Sequence, residues 1–125
     1  MLMFLMNLSQ AMAGDSAFEA TAYVRDCAGC SGYTAWEGLV ADPWGPIKMM
    51  AVDPDVLDLG QCYRLRFRDG HESVYLAADT GGAIQGHRLD LLLKSTASAR
   101  KFGRQPVIVL GKVACPVDVR RLRRG

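Results

Sequence analysis

A small, mainly β barrel of about six strands with one short helix is the fold class this sequence predicts, and three observations predict it. Short apolar or alternating runs recur along the chain, each stopped by Gly, Pro or Asp. One of them, Cys62 to Arg68, alternates strictly, with Tyr63, Leu65 and Phe67 on one face and Arg64, Arg66 and Arg68 on the other. A single segment, after Ser95, carries the start and stop signals of a helix.

Taken in order, Phe18 to Val24 reads as the first strand. Ile47 to Asp53 is the second, ended by Pro54, which cannot continue a ladder. Cys62 to Arg68 is a half-buried third. Asp69-Gly70 supplies a turn and Ser73 to Ala78 returns, so these two form a hairpin. Leu89 to Leu93 fits either a strand or a buried helix by periodicity, but its length and the polar stop at Lys94-Ser95 favour strand. Ser95 then suits an N-cap for a helix through Phe102, with Gly103 at the left-handed position that ends it. Pro106 to Val113 is a final β-branched strand.

The 125 residues suffice for one domain, and the 50% hydrophobic and 22% charged composition is that of a folded chain. The segments read as 1–13, a truncated signal peptide or N-terminal extension; 14–116, the barrel; and 117–125, a basic tail. The first is apolar and ends in Ala11-Met12-Ala13, like a cleavage site, but lacks a basic start and is too short to span a membrane. A net charge of +2 implies no nucleic-acid partner. Arg120, Arg121, Arg123 and Arg124 could touch an anionic polymer, although a solvated, frayed end is the expectation. Cys27, Cys30, Cys62 and Cys115 fit two disulfides in an exported protein, with Cys27–Cys30 and Cys62–Cys115 preferred because Cys62 opens one strand and Cys115 follows the last. Free buried thiols would fit an internal location instead. Zinc would need a second Cys pair or a His pair, which His71 and His87 do not make.

Carboxylates are the most promising chemistry. Asp53, Asp79 and Asp90 each end or open a strand, and Gly81, Gly82 and Gly86 let the intervening segment turn tightly enough to bring its ends together. Asp90 has the most apolar neighbours. Burial there would hold its carboxyl protonated, ready to act as general acid and then as base. Turn capping is the structural alternative. Calcium is a third use, but the three aspartates lack the every-second-residue spacing of calcium loops. Neither histidine sits in a nucleophile's context, and both read as surface residues.

The blocks Ala51 to Gly60, Ala78 to Asp90 (Ala-Asp-Thr-Gly-Gly-Ala-Ile-Gln-Gly-His-Arg-Leu-Asp), Ala99 to Gly103 and Val107 to Leu110 together resemble the three-aspartate (3D) family of cell-wall-acting domains. Upstream, Ala20 to Tyr23 with Cys27 to Cys30 and Thr34-Ala35 is similar to the opening of its short secreted and phage-borne members. The resemblance implies a six-stranded double-psi β-barrel, like that of membrane-bound lytic transglycosylases and stationary-phase survival proteins. It implies cleavage of the β-1,4 bond between N-acetylmuramic acid and N-acetylglucosamine in peptidoglycan, leaving a 1,6-anhydro sugar. Asp90 would be the acid and base, Asp79 and Asp53 would tune it or bind sugar, and Thr80, Gly81, Gly82 and Gln85 would line the cleft. Peptidoglycan strands are the implied partner, exported or phage-associated the implied location, and no cofactor or metal is required. The same barrel gripping glycan without cutting it is the rival reading. Gln85 and Asp58 depart from the family pattern, which usually has lysine and proline there, and Trp36 either fills core or stacks on a sugar.

Overall fold

A computed structural model describes residues 16–125, so the leader reading lies outside the described residues. Six strands, β1 (Ser16–Val24), β2 (Lys48–Val52), β3 (Cys62–Arg66), β4 (Glu72–Asp79), β5 (Arg88–Leu93) and β6 (Gln105–Val113), close in the order β1-β5-β2-β4-β3-β6. Contacts β1/β5 and β2/β4 are parallel and the other four antiparallel, an arrangement consistent with the double-psi connectivity. The helix α1 (Thr96–Phe102) follows β5. Its Ser95 side chain accepts from the Ser98 amide, and Gly103 leaves it at φ 65°.

Alternation decides which side chains enter the barrel. Phe18, Ala20, Met50, Val52, Tyr63, Leu65, Ala77, Leu89, Leu91, Val107 and Val109 fill it, and Phe102 of α1 packs against them. Arg64 and Arg66 stay outside and pair with Glu72 across the hairpin, as the alternation requires. β3 stops at Arg66, two residues before the end of the alternating run, because Phe67 closes the turn by donating to the His71 carbonyl and accepting from Gly70.

A second apolar layer lies outside the barrel. Met49, Leu76, Ala78 and Leu92 point away from the interior and are covered by Leu39, Ala41 and Ile47 from the long β1–β2 connection. Cys62 lies in this layer and is bonded to Cys115; Cys27 is bonded to Cys30, so both preferred pairings are present. Trp36 packs here too, its indole so close to Gly60 that a Cβ there would sit 2.6 Å from the ring.

The chain's end corrects the expectation of a frayed tail. Its four arginines are exposed, but Val40 donates to the Arg123 carbonyl, Gly125 to the Gly38 carbonyl, and Arg124 pairs with Glu37 at 3.1 Å. Val117, Val119 and Leu122 add apolar contact with the outer layer. Alternating apolar residues among the arginines supply the anchor that a charge count alone overlooks.

Candidate functional site

The three aspartates come from neighbouring strands, Asp53 just past the end of β2, Asp79 at the end of β4 and Asp90 within β5, but not as one cluster. Along the ladder, Thr21 of β1 lies opposite Asp90 of β5, Asp90 opposite Ala51 of β2, and Ala51 opposite Asp79 of β4. Residues directly opposite share a face of a sheet, so these four form one row across the outside of the barrel. The row depends on an irregularity. Met50 pairs with Ala77, yet Ala51 pairs with Asp79, so Ala78 is the extra residue of a bulge. Without it Ala51 would face Ala78, and the Asp79 side chain would point inward; bulges re-aim side chains in this way.

Asp90 is partly buried. Its Oδ1 accepts from the Thr21 hydroxyl at 2.9 Å, and no backbone amide among the described residues donates to it. Burial pushes its carboxyl above the ordinary value; the Thr21 bond opposes this and the Asp79 charge adds to it. The hollow in front of it, about 240 Å³, is bordered by Thr21, Ala83, Ile84 and Arg88.

Asp79 is used differently. Its Oδ1 accepts from the amides of Ala35 at 3.0 Å and Thr80 at 2.9 Å, and Tyr23 donates its hydroxyl to Oδ2 at 3.4 Å. Burial, then the charges of Asp79 and Asp90, push the Tyr23 phenol far above its usual range, so it remains a donor at any ordinary pH. Asp79 borders a separate hollow of about 200 Å³ with Tyr23 and Thr80. Asp79 and Asp90 thus face two neighbouring hollows, with Tyr23 reaching along the row between their strands.

Asp53 is a clamp. One carboxylate oxygen accepts from the Asp55 amide at 2.9 Å and the other from Gly86 at 2.8 Å, which ties the glycine segment to the end of β2. Those two bonds hold its carboxyl below the usual range. Gly86 sits at φ 69°, where glycine is the residue that fits without strain. Asp53→Ala is expected to speed hydrogen exchange at Gly86 and its loop neighbours while leaving the β2 amides unchanged, as read by NMR.

Within the glycine segment, Gln85 turns its amide to the Gly82 carbonyl at 3.0 Å, and Gly81 packs against Ile84. Ala83 and Ile84 are the members that border the Asp90 hollow. Thr21 and Tyr23 carry no sequence signal for a site, because their partners lie 69 and 56 residues away. Among the described residues, no three of His, Cys, Asp and Glu are placed to hold a metal ion, and no helix is long and apolar enough to cross a membrane.

The 3D domain family model matches residues 48–110, the stretch from β2 into β6 that contains all three aspartates. The chain belongs to the 3D domain family. Among its relatives are three proteins of Bacillus subtilis (strain 168). A putative cell wall shaping protein, YabE, is 38% identical over 88 residues, 70% of this chain and 20% of that protein. The cell wall-binding protein YocH is 38% identical over 90 residues, 72% of this chain and 30% of that protein. An uncharacterized SPbeta prophage-derived protein, YorM, is 36% identical over 93 residues, 72% of this chain and 39% of that protein. The chain therefore spans well under half the length of each.

Proposed function

We propose that this 3D domain is a peptidoglycan lytic transglycosylase, exported or phage-associated, that cuts the bond between N-acetylmuramic acid and N-acetylglucosamine with Asp90 as general acid and base. The observation that carries the reading is the difference between the aspartates. Asp53 and Asp79 each accept from two backbone amides, while Asp90 is partly buried, has its carboxyl pushed above the ordinary value by that burial and borders an open hollow. The names of two relatives place them at the cell wall, and a third comes from a prophage. Two disulfides fit an oxidising compartment.

In the reaction, protonated Asp90 gives its proton to the glycosidic oxygen as the bond from the muramic acid C1 breaks. The carboxylate so formed takes the proton of the C6 hydroxyl as that oxygen bonds C1. The 1,6-anhydro ring closes, no water is consumed, and Asp90 ends protonated as it began. One carboxyl suffices, whereas hydrolytic glycosidases place two at defined separations. Thr21 orients the working carboxyl, and Asp79 raises its proton affinity across the small side chain of Ala51.

The second reading is a barrel that holds glycan without cutting it, favoured by the relative named a cell wall-binding protein. Digestion of purified sacculi followed by mass spectrometry separates the two. Anhydro-muropeptides, one water lighter than hydrolysis products, are the expected result. Protein that sediments with sacculi yet releases nothing would leave the binding reading in its place.

A further inference from the structure

The two hollows on the aspartate row differ in how their cations are held. Beside Asp90, Arg88 and Arg104 are both held by the single carboxylate of Glu19, at 3.1 and 2.7 Å, so each guanidinium already has an anionic partner within the protein. Beside Asp79, Arg25 is exposed, and among the described residues it makes no ion pair or side-chain hydrogen bond. The same hollow is bordered by Tyr33, which is 51% exposed and is backed so closely by Gly125 that a Cβ there would fall 2.4 Å from the ring. Its wall is the segment closed by the Cys27–Cys30 bond, with Cys27 donating to the Val24 carbonyl at 3.2 Å and Cys30 to the Cys27 carbonyl at 3.0 Å. The hollow's own carboxylate, Asp79, is taken up by the Ala35 and Thr80 amides and the Tyr23 hydroxyl, and the free cation, apolar ring and cross-linked wall together make a receptor for an anionic group carried on an organic body.

The position identifies the anion. Asp79 and Asp90 are separated by one intervening strand, so their backbones stand two strand spacings apart, about 10 Å. A ligand whose reacting bond lies at Asp90 and whose length runs along the row would bring its next group to Arg25. In peptidoglycan, the carboxylates are carried by the muramic acid flanking the cut bond, either on its lactyl arm or on the peptide stem built from that arm. Resting on the peptidoglycan reading above, we propose that the Asp79 hollow is a recognition site for a carboxylate of N-acetylmuramic acid or its peptide stem, with Arg25 as the ion-pairing group and Tyr33 as the apolar wall.

The test is co-sedimentation of the full chain with sacculi freed of teichoic acid, in three forms: native, with carboxylates converted to amides by a carbodiimide, and stripped of stems by an amidase. Wild type is expected to bind native sacculi about three- to fivefold better than amidated ones, the size of one exposed ion pair, with the preference shrinking as salt rises. Arg25→Ala should erase the preference. Arg68→Ala, which removes an exposed charge at the β3–β4 turn, should keep it. In native sacculi the lactyl carboxyl is tied up in the amide bond to the stem, and only the amidase frees it. A fall of stripped sacculi to the amidated level therefore assigns the stem carboxylates, while binding kept at or above native shows that the freed lactyl carboxylate serves as well. Equal binding of wild type to native and amidated sacculi, or an unchanged preference in Arg25→Ala, overturns the proposal. The cleavage reading is judged separately: a carboxylate preference without anhydro products leaves this site standing and removes the enzyme, while anhydro products without the preference do the reverse.

Discussion

Asp90→Asn is expected to abolish release of anhydro-muropeptides from sacculi, with a loss of at least about 10³-fold, while leaving the barrel folded and slightly more stable. The rate loss follows from the role proposed for it, in which a single group performs both proton transfers, since each such transfer contributes roughly 10² to 10⁴-fold. Asparagine keeps the shape and can still accept from the Thr21 hydroxyl, so binding to sacculi should survive. Wild-type activity should fall as pH rises through the raised pKa of Asp90, since only the protonated form can start the reaction.

The stability gain has its own pH signature. The carboxyl's ordinary value is 3.8, and burial raises it in the folded chain. Below 3.8 the group is protonated whether folded or not, and it costs nothing. As pH rises through the folded value, the native state must carry a charge it holds poorly, so wild type loses stability there. Asp90→Asn escapes that loss. Its melting temperature should exceed wild type at pH 7 and match it at pH 3. Because the carboxyl borders an open hollow, solvent screening holds the gain to about 1 kcal/mol. A variant that loses activity but shows no pH-dependent gain would mean that burial does not tune Asp90. A variant that cuts as well as wild type would take the acid-base role away from it altogether.

The barrel was legible because its signals are local. The β3 alternation places Tyr63 and Leu65 inside and the arginines out, and the Ser95 and Gly103 caps bound the helix where they stand in the sequence. The family resemblance likewise singles out the three aspartates, which the match over 48–110 contains. How those aspartates are arranged was not legible. The bulge at Ala78 turns Asp79 outward, and a bulge is a property of the pairing between β2 and β4, not of either strand alone. Thr21 joins the row, and Tyr23 reaches Asp79 with its hydroxyl, only because β1 runs beside β5, a pairing of segments far apart in sequence. The outer layer was hidden for a related reason. Residues such as Leu76 and Leu92 read as the wrong face of a half-buried strand until the β1–β2 connection and the chain's end are seen to cover them.

That outer layer is where the largest stability effect is expected. Cys62→Ala with Cys115→Ala should lower unfolding stability by about 4 kcal/mol, measured by urea titration of both proteins at neutral pH. The bond joins positions 53 residues apart, from the start of β3 to the segment beyond β6, so it removes a large share of the unfolded chain's freedom. A local contribution adds to this. Cys62 is fully buried among Leu39, Leu76 and Leu92, and the Cys115 segment leads into Val117, Val119 and Leu122, which close the layer. Loss of the bond should therefore loosen the chain's end before the barrel itself, with amide exchange accelerating first at Val40 and Gly125, whose donors reach across to that seam. The Cys27–Cys30 bond gives the contrast. It spans 3 residues, constrains little of the unfolded chain, and lies in the wall of the Asp79 hollow. Its replacement by alanines should cost far less stability but weaken binding of carboxylate-bearing sacculi. If both pairs proved equally dispensable for folding, the outer layer would be an ornament on a self-sufficient barrel; the full burial of Cys62 argues that the layer is part of the folded structure.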